Sequence, residues 1–315
     1  MDPTHAAVPA GSSSPPGAPP GDDRRLRPVM SALLVVFSLL TALAVIALYA
    51  APDRTDQAFA WTIQPPLTAA FLGAGYGAGC VLVVLSLRDP VWARSRQPVL
   101  TILAFVVLTL AATLLHLDRF HLQPEFAGLP VLARVAAWFW LAVYVLVPPA
   151  MCLALWSQER APGADPPVQH PVPRVLRAAL AAESAVLLVV GLLLLVAPST
   201  YTSLWPWQLT PLTAQVVAAW LVAFGAATAL AAVAGDLARL RTSAIAYTVF
   251  GVLVLVAVAR FPGTVEWSDP AAWVFTAVAG AMVLTGAAGW RLAPHLPPRS
   301  PRSPRHRAGR SAVRT

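Results

Sequence analysis

One carboxylate stands where carboxylates are costly: Glu183, about two turns into the apolar run that opens at Leu176. An ionised group at that depth costs about 3 kcal/mol on insertion scales, so it must face other helices, carry a proton or meet a cation. The preceding Arg174 and Arg177 are candidate partners, and a proton or cation relay is the chemistry such a residue could perform. A second group, His116, Asp118, Arg119, His121 and Glu125, is crowded into ten residues. Imidazoles and carboxylates hold zinc and serve as acids and bases. On a continued helix His116, Arg119 and Phe120 share a face, whereas Asp118 lies about 200° from His116. A metal would therefore need His121 and Glu125 to fold back, and the plainer expectation is a hydrogen-bonded cap in which Asp118 meets Arg119 or Arg260.

Two further features are polar landmarks. Thr68 and Thr213 sit in matching Pro-Leu-Thr-Ala elements, preceded by Gln64 and Gln208 and by tryptophans. Proline in a first turn with threonine beside it is ordinary helix-start chemistry. Its occurrence twice predicts two loops that dock on each other, or a pocket between them. Pro148-Pro149, inside an apolar run, removes the bonds to the carbonyls of Tyr144 and Val145 and predicts a kink; broken helices line substrate sites in many transporters.

No G-x-S-x-G, H-E-x-x-H or P-loop pattern is present, so no catalytic residue, metal ligand or cofactor is assigned. Gly73, Gly75 and Ala78 fit the dinucleotide fingerprint in spacing, but that motif needs a strand before it. Read as helix, Gly73/Gly77 and Gly75/Gly79 are GxxxG pairs that let a neighbouring helix come close. Cys80 and Cys152 both fall in apolar runs and read as small hydrophobes.

The elements that position these residues follow from composition. Of 315 residues 57% are hydrophobic and 11% charged, where a soluble domain needs roughly 25% charged. Eight apolar runs, 30–51, 66–87, 98–117, 131–156, 176–197, 211–234, 242–259 and 271–290, are each long enough to span a hydrocarbon core of about 30 Å. The fold class expected is an all-α integral membrane protein with eight transmembrane helices. Residues 1–29 and 292–315, rich in Pro, Ser and Arg, are expected to be disordered tails, with 157–175 a linker between two four-helix units at 30–156 and 176–291.

All basic residues are Arg, and 18 of the 22 fall in the tails and in the loops after spans two, four and six. Positive charge stays inside, which predicts cytoplasmic termini in a plasma membrane. Arg in place of Lys, with heavy Ala, Val and Pro, is what a GC-rich bacterial genome encodes. The basic segments would contact the lipid bilayer, anionic lipids in particular; their place beside apolar spans argues against nucleic acid. Trp61, Trp138, Trp205, Trp207, Trp267 and Trp273 are expected in an aromatic belt at the outer interface, and Trp92, Trp156 and Trp290 at the inner one.

The chain also echoes itself. Pro66, Leu67, Thr68 and Ala69 recur 145 residues on as Pro211, Leu212, Thr213 and Ala214, and at the same offset Ala93, Arg94 and Arg96 meet Ala238, Arg239 and Arg241. Arg119-Phe120 corresponds to Arg260-Phe261. Four spans per unit would relate the halves by a pseudo-twofold along the membrane normal. The LTPLTA element at 209–214 beside Trp205 and Trp207, with His116-Leu-Asp-Arg-Phe120, resembles a group of uncharacterised multi-pass membrane proteins of actinobacteria. That group has no established activity, so the resemblance implies membrane topology and no site. The functional expectation is a small-solute or ion carrier; the alternatives are a sensor or assembly component, and an enzyme acting on a lipid-linked substrate through His116, Asp118 or His121.

Overall fold

The computed structural model describes residues 23–168 and 170–294. Eight long apolar helices cross it: α1 Pro28–Ala50, α2 Pro66–Arg88, α3 Trp92–Leu115, α4 Val131–Glu159, α5 Arg174–Val196, α6 Pro211–Ala234, α7 Leu237–Arg260 and α8 Pro270–Leu292. No strand occurs among the described residues. The chain is an integral membrane protein. In lipid the backbone must bond to itself, and a helix does so within one segment.

Local chemistry sets the helix starts. Proline occupies the first turn of α1, α2, α6 and α8, where its missing N–H is no loss. Thr210 and Thr213 form a reciprocal capping box on α6, and the Asp236 and Asp269 side chains cap α7 and α8. The last turn of α1, Ile46–Ala50, is π-helical. Two helices begin five or more residues before their apolar runs do. α3 starts at Trp92, not 98, and α7 at Leu237, not 242, because each opens with a polar turn that the bundle half-buries. α4 runs unbroken through Pro148 and Pro149.

The helices form an inner pair with a surrounding layer. Of the most apolar stretches of α2 and α6, 67% is buried, against 17% for α1 and 22% for α8. The main contacts are α1 on α2, α5 on α6, α7 on α8, α2 on α7 and α3 on α6; α3 on α4, α1 on α4 and α5 on α8 are lighter. One end of the bundle, the terminal face, gathers the segments before α1 and α5 and the α2–α3 and α6–α7 connections. Leu26 N donates to Pro90 O (2.9 Å) and Trp92 N to Arg24 O (2.8 Å). Val172 N donates to Gly235 O (3.0 Å) and Leu237 N to His170 O (2.8 Å). Arg24 and Arg96 pair with Glu159 at 3.2 and 3.0 Å across this face. The opposite end is the far face. Most of both expected tails lies outside the described residues; the stretch 23–27 is laid against the α2–α3 connection and Ala164.

The tryptophans divide differently from the expected belts. Trp138, Trp156, Trp273 and Trp290, on α4 and α8, are exposed at the two ends of the outermost helices. Trp61, Trp92, Trp205 and Trp207 are buried and belong to the core. Aromatic rings in short interhelical loops find apolar company inward, and their exclusion from lipid lets them plug the bundle ends.

The glycine run of α2 is a packing surface. A Cβ on Gly73 would lie 2.6 Å from Tyr49 N of α1, one on Gly75 2.5 Å from the Trp220 indole of α6, and one on Gly77 2.7 Å from Leu253 of α7. Gly79 has ordinary room, its nearest neighbour at 3.7 Å. Gly73→Ala is therefore expected to lower stability by about 1–3 kcal/mol, while Gly79→Ala should be near neutral. Thermal unfolding of the purified variants, followed by size-exclusion recovery, measures the difference; equal effects would contradict the packing.

Candidate functional site

The far face collects most of the residues that the sequence marks out, and each has a partner of its own or faces solvent. α3 ends at Leu115, so His116 lies just past the helix and Leu117–Arg119 form a separate 3-10 turn. Gln215 Nε2 donates to Leu195 O (2.9 Å), which turns its Oε1 towards His116 Nε2 at 3.0 Å. The imidazole must therefore be the donor there. His121 Nδ1 donates to Phe59 O (2.9 Å), and its Nε2 accepts from the Thr62 hydroxyl (3.1 Å). Only 1% of His121 is exposed. Burial lowers its pKa from the ordinary imidazole value, with the Phe59 carbonyl and Asp56 opposing in part.

Asp118 and Arg119 pair with each other at 3.0 Å in solvent, and Arg260 donates to Tyr49 O (2.7 Å) while lying over the Tyr49 ring. Glu125, Gln64 and Gln208 are exposed. His116 and His121 point at different partners, and among the described residues no three His, Cys, Asp or Glu side chains gather where they could hold a metal. The two threonine elements do meet. Trp207 Nε1 donates to Thr68 Oγ1 at 2.9 Å, tying the loop before α6 to the start of α2, while the Thr213 hydroxyl stays within its own cap.

Glu183 stands apart from all of these. It is nine residues past Arg174, about 13 Å into α5, and 8% exposed. Neither Arg174 nor Arg177 pairs with it; both are exposed, and the Arg177 guanidinium lies against Gly235 instead. These side chains reach water more cheaply than they reach the seam between α5 and α8. The partner of Glu183 is Thr285 on α8, its hydroxyl 3.0 Å from Oε2. Tyr247 of α7 stands beside the same carboxyl, and its hydroxyl is buried without a hydrogen bond of good geometry. One residue on, the Ser184 hydroxyl donates to Gly225 O of α6 (2.8 Å), which locks the α5–α6 contact and fixes the direction of Glu183.

Two cavities are lined by neighbours of this carboxyl. One, of about 30 Å³, lies among α2, α3, α5, α6, α7 and α8 and carries the polar side chains of Gln97, Thr101, Thr228, Ser243, Tyr247 and Thr285. The other, of about 90 Å³, lies towards the far face between α5 and α8 and is lined by apolar residues such as Phe71, Leu187, Phe275 and Met282. Tyr247 and Thr285, which complete the surroundings of Glu183, carry no pattern of their own in the sequence. The same is true of the buried Tyr76–Tyr144 hydroxyl pair (2.6 Å). A single hydroxyl inside an apolar run is the one available signal.

No family model, curated protein or solved structure matches this chain.

Because His121 is buried neutral, its share of stability should be complete above the ordinary imidazole value of 6.5 and lost as pH falls through the lowered one. Melting temperature is expected to fall below that pH in the wild type, with a shallower slope in His121→Gln. Thr68→Val removes the acceptor for the buried Trp207 N–H and is expected to cost about 1–3 kcal/mol. Denaturation at neutral pH reads this cost, and an unchanged midpoint would show that the loop docks without the bond.

Proposed function

We propose that this chain is a carrier of a small solute or ion, with Glu183 as the site of the coupling ion. The observation that carries this reading is a buried carboxyl with only neutral partners, Thr285 and Tyr247, next to a small, mostly apolar cavity whose wall includes both of them. A structural ion pair would bring its own cation; here a proton or a mobile cation must supply the compensating charge. The residues that a far-face enzyme would use are instead bonded in pairs or to the backbone.

Helix pairing supports two halves descended from one four-helix unit. α1 packs on α2 as α5 does on α6, α2 on α7 as α6 does on α3, and α1 on α4 as α5 does on α8. The bonds that join 24–26 to 90–92 are matched by those that join 170–172 to 235–237. Such an arrangement suits alternating access, in which one half rocks against the other. With the Arg distribution this reading puts the terminal face in the cytoplasm. There the exposed Arg25, Arg88, Arg160, Arg174 and Arg177 would meet anionic lipid headgroups.

Reporter fusions after Arg241 and after Thr315 should report the cytoplasm, and one within 199–210 the outside; an external C-terminus would overturn the orientation. For transport, the protein in vesicles with an imposed ion gradient should drive uptake from pooled small solutes, and Glu183→Gln, present in the membrane at normal amount, should not. If uptake is instead unchanged in Glu183→Gln while Glu183→Leu loses about 1–3 kcal/mol of stability, the residue is an anchor and the carrier reading fails.

A further inference from the structure

Hydrogen-bond accounting around Thr285 specifies more than the presence of a carboxyl. The Thr285 hydroxyl has one proton and two close acceptors, Glu183 Oε2 at 3.0 Å and the carbonyl of Ala281 at 2.9 Å. A single O–H can point squarely at only one of them. If it donates to Ala281, its lone pairs face Glu183, and the 3.0 Å contact is a hydrogen bond only when the carboxyl brings the proton. Both contacts are then satisfied at once.

The surroundings indicate where the proton comes from. The cavity beside Thr285 has room for about two waters, and its wall holds the buried Tyr247 hydroxyl, which stands beside the Glu183 carboxyl without a hydrogen bond of good geometry. Gln97 and Ser243 are in the second turns of α3 and α7 and Thr228 in the second-last turn of α6, so the cavity lies within about 10 Å of the terminal face. Towards the far face lie closely packed rings, tilted and edge to face. Phe224 lies 4.5 Å from Phe250, and Phe250 lies 5.6 Å from Phe71. Beyond them the second cavity presents an almost wholly apolar wall.

We infer that the coupling ion is a proton, which reaches Glu183 from the terminal face through waters held beside Tyr247 and Thr285. This deepens the carrier reading and rests on it. The step balances simply. A hydronium at the terminal face gives up a proton along the cavity waters, an O–H bond forms on Glu183, and that O–H donates to Thr285 Oγ1 while Thr285 donates to Ala281. Among the described residues, the titratable group facing Glu183 is Tyr247 on α7. α6 brings the Gly225 carbonyl to the neighbouring Ser184, and α8 brings Thr285, both uncharged. Arg174 and Arg177, on α5 itself, are exposed and turned away.

Infrared difference spectra of the full-length protein in lipid vesicles test this. Wild type at neutral pH should show a carboxylic-acid C=O band that shifts in D2O, ignores sodium, moves in Thr285→Val and is lost in Glu183→Gln. Glu183→Asp should keep the band at a new position, which guards against poor accumulation of the Gln variant. In a Cys80→Ala, Cys152→Ala background, Ser243→Cys should react with a membrane-impermeant thiol reagent supplied at the terminal face and not at the far face. A carboxylate that answers to sodium and not to pH overturns the proton while leaving the coupling-ion reading intact. A carboxylate indifferent to both overturns the two together, and labelling from the far face overturns the route.

Discussion

The indole of Trp220 occupies space that any side chain at position 75 would fill. This one contact joins α6 to α2 through a ring, while the closer helix packing is that of α1 and α7 on α2 and of α5 and α3 on α6. Phe105 of α3 stacks on the same indole at 3.7 Å, and Tyr76 and Phe224 meet it at 5.3 and 5.5 Å. Lipid gives helices no hydrophobic reason to associate, so close approach and shape complementarity must hold them. Gly73 and Gly77 of α2 let α1 and α7 come close, Gly225 of α6 does so for α5, and large rings fill what is left. The layering of inner and outer helices is a consequence of which helices can do without side-chain bulk.

The same scarcity governs the polar groups. A hydroxyl or amide inside the bundle is matched to a specific acceptor on another helix wherever it helps set register: Ser184 to Gly225, Gln97 to Ala227, Trp140 to Thr113. Each bond of this kind is modest in isolation, but leaving one member unpaired in an apolar interior is expensive. Against that background Glu183 is the exception in kind. Its partners leave its charge uncompensated, and it alone among the buried side chains of the transmembrane helices is a carboxyl.

Much of this was legible in the residues. Apolar run length locates the eight helices, and the glycine spacing of α2 reads correctly as close packing because GxxxG has a meaning in any helix that neighbours can approach. Helix starts at Trp92 and Leu237 were hidden because a polar first turn looks like loop until something half-buries it. Glu183 stands out in the sequence by its cost alone, yet Thr285 and Tyr247 do not, since the pairing of residues 102 positions apart is a tertiary fact. The far-face histidines illustrate the converse. Their crowding in sequence left a shared site open beside the plainer expectation of a hydrogen-bonded cap, and the end of α3 before His116 sends the two rings to separate partners.

The first helix is fastened from a distance. Arg27 N donates to Gln158 Oε1 (2.8 Å), Gln158 Nε2 donates to Arg25 O (2.9 Å), and Arg24 N reaches Ala164 O (3.0 Å). The two Gln158 bonds require the chain to have reached the end of α4, and the third requires Ala164, six residues further on. Before α4 is made, the start of α1 can be held only by α2 and by the bonds of Leu26 and Arg24 to the α2–α3 connection, so the last fastening of the first four helices waits for the end of α4. A single buried glutamine at the end of the fourth helix thus joins the two ends of the first four-helix stretch.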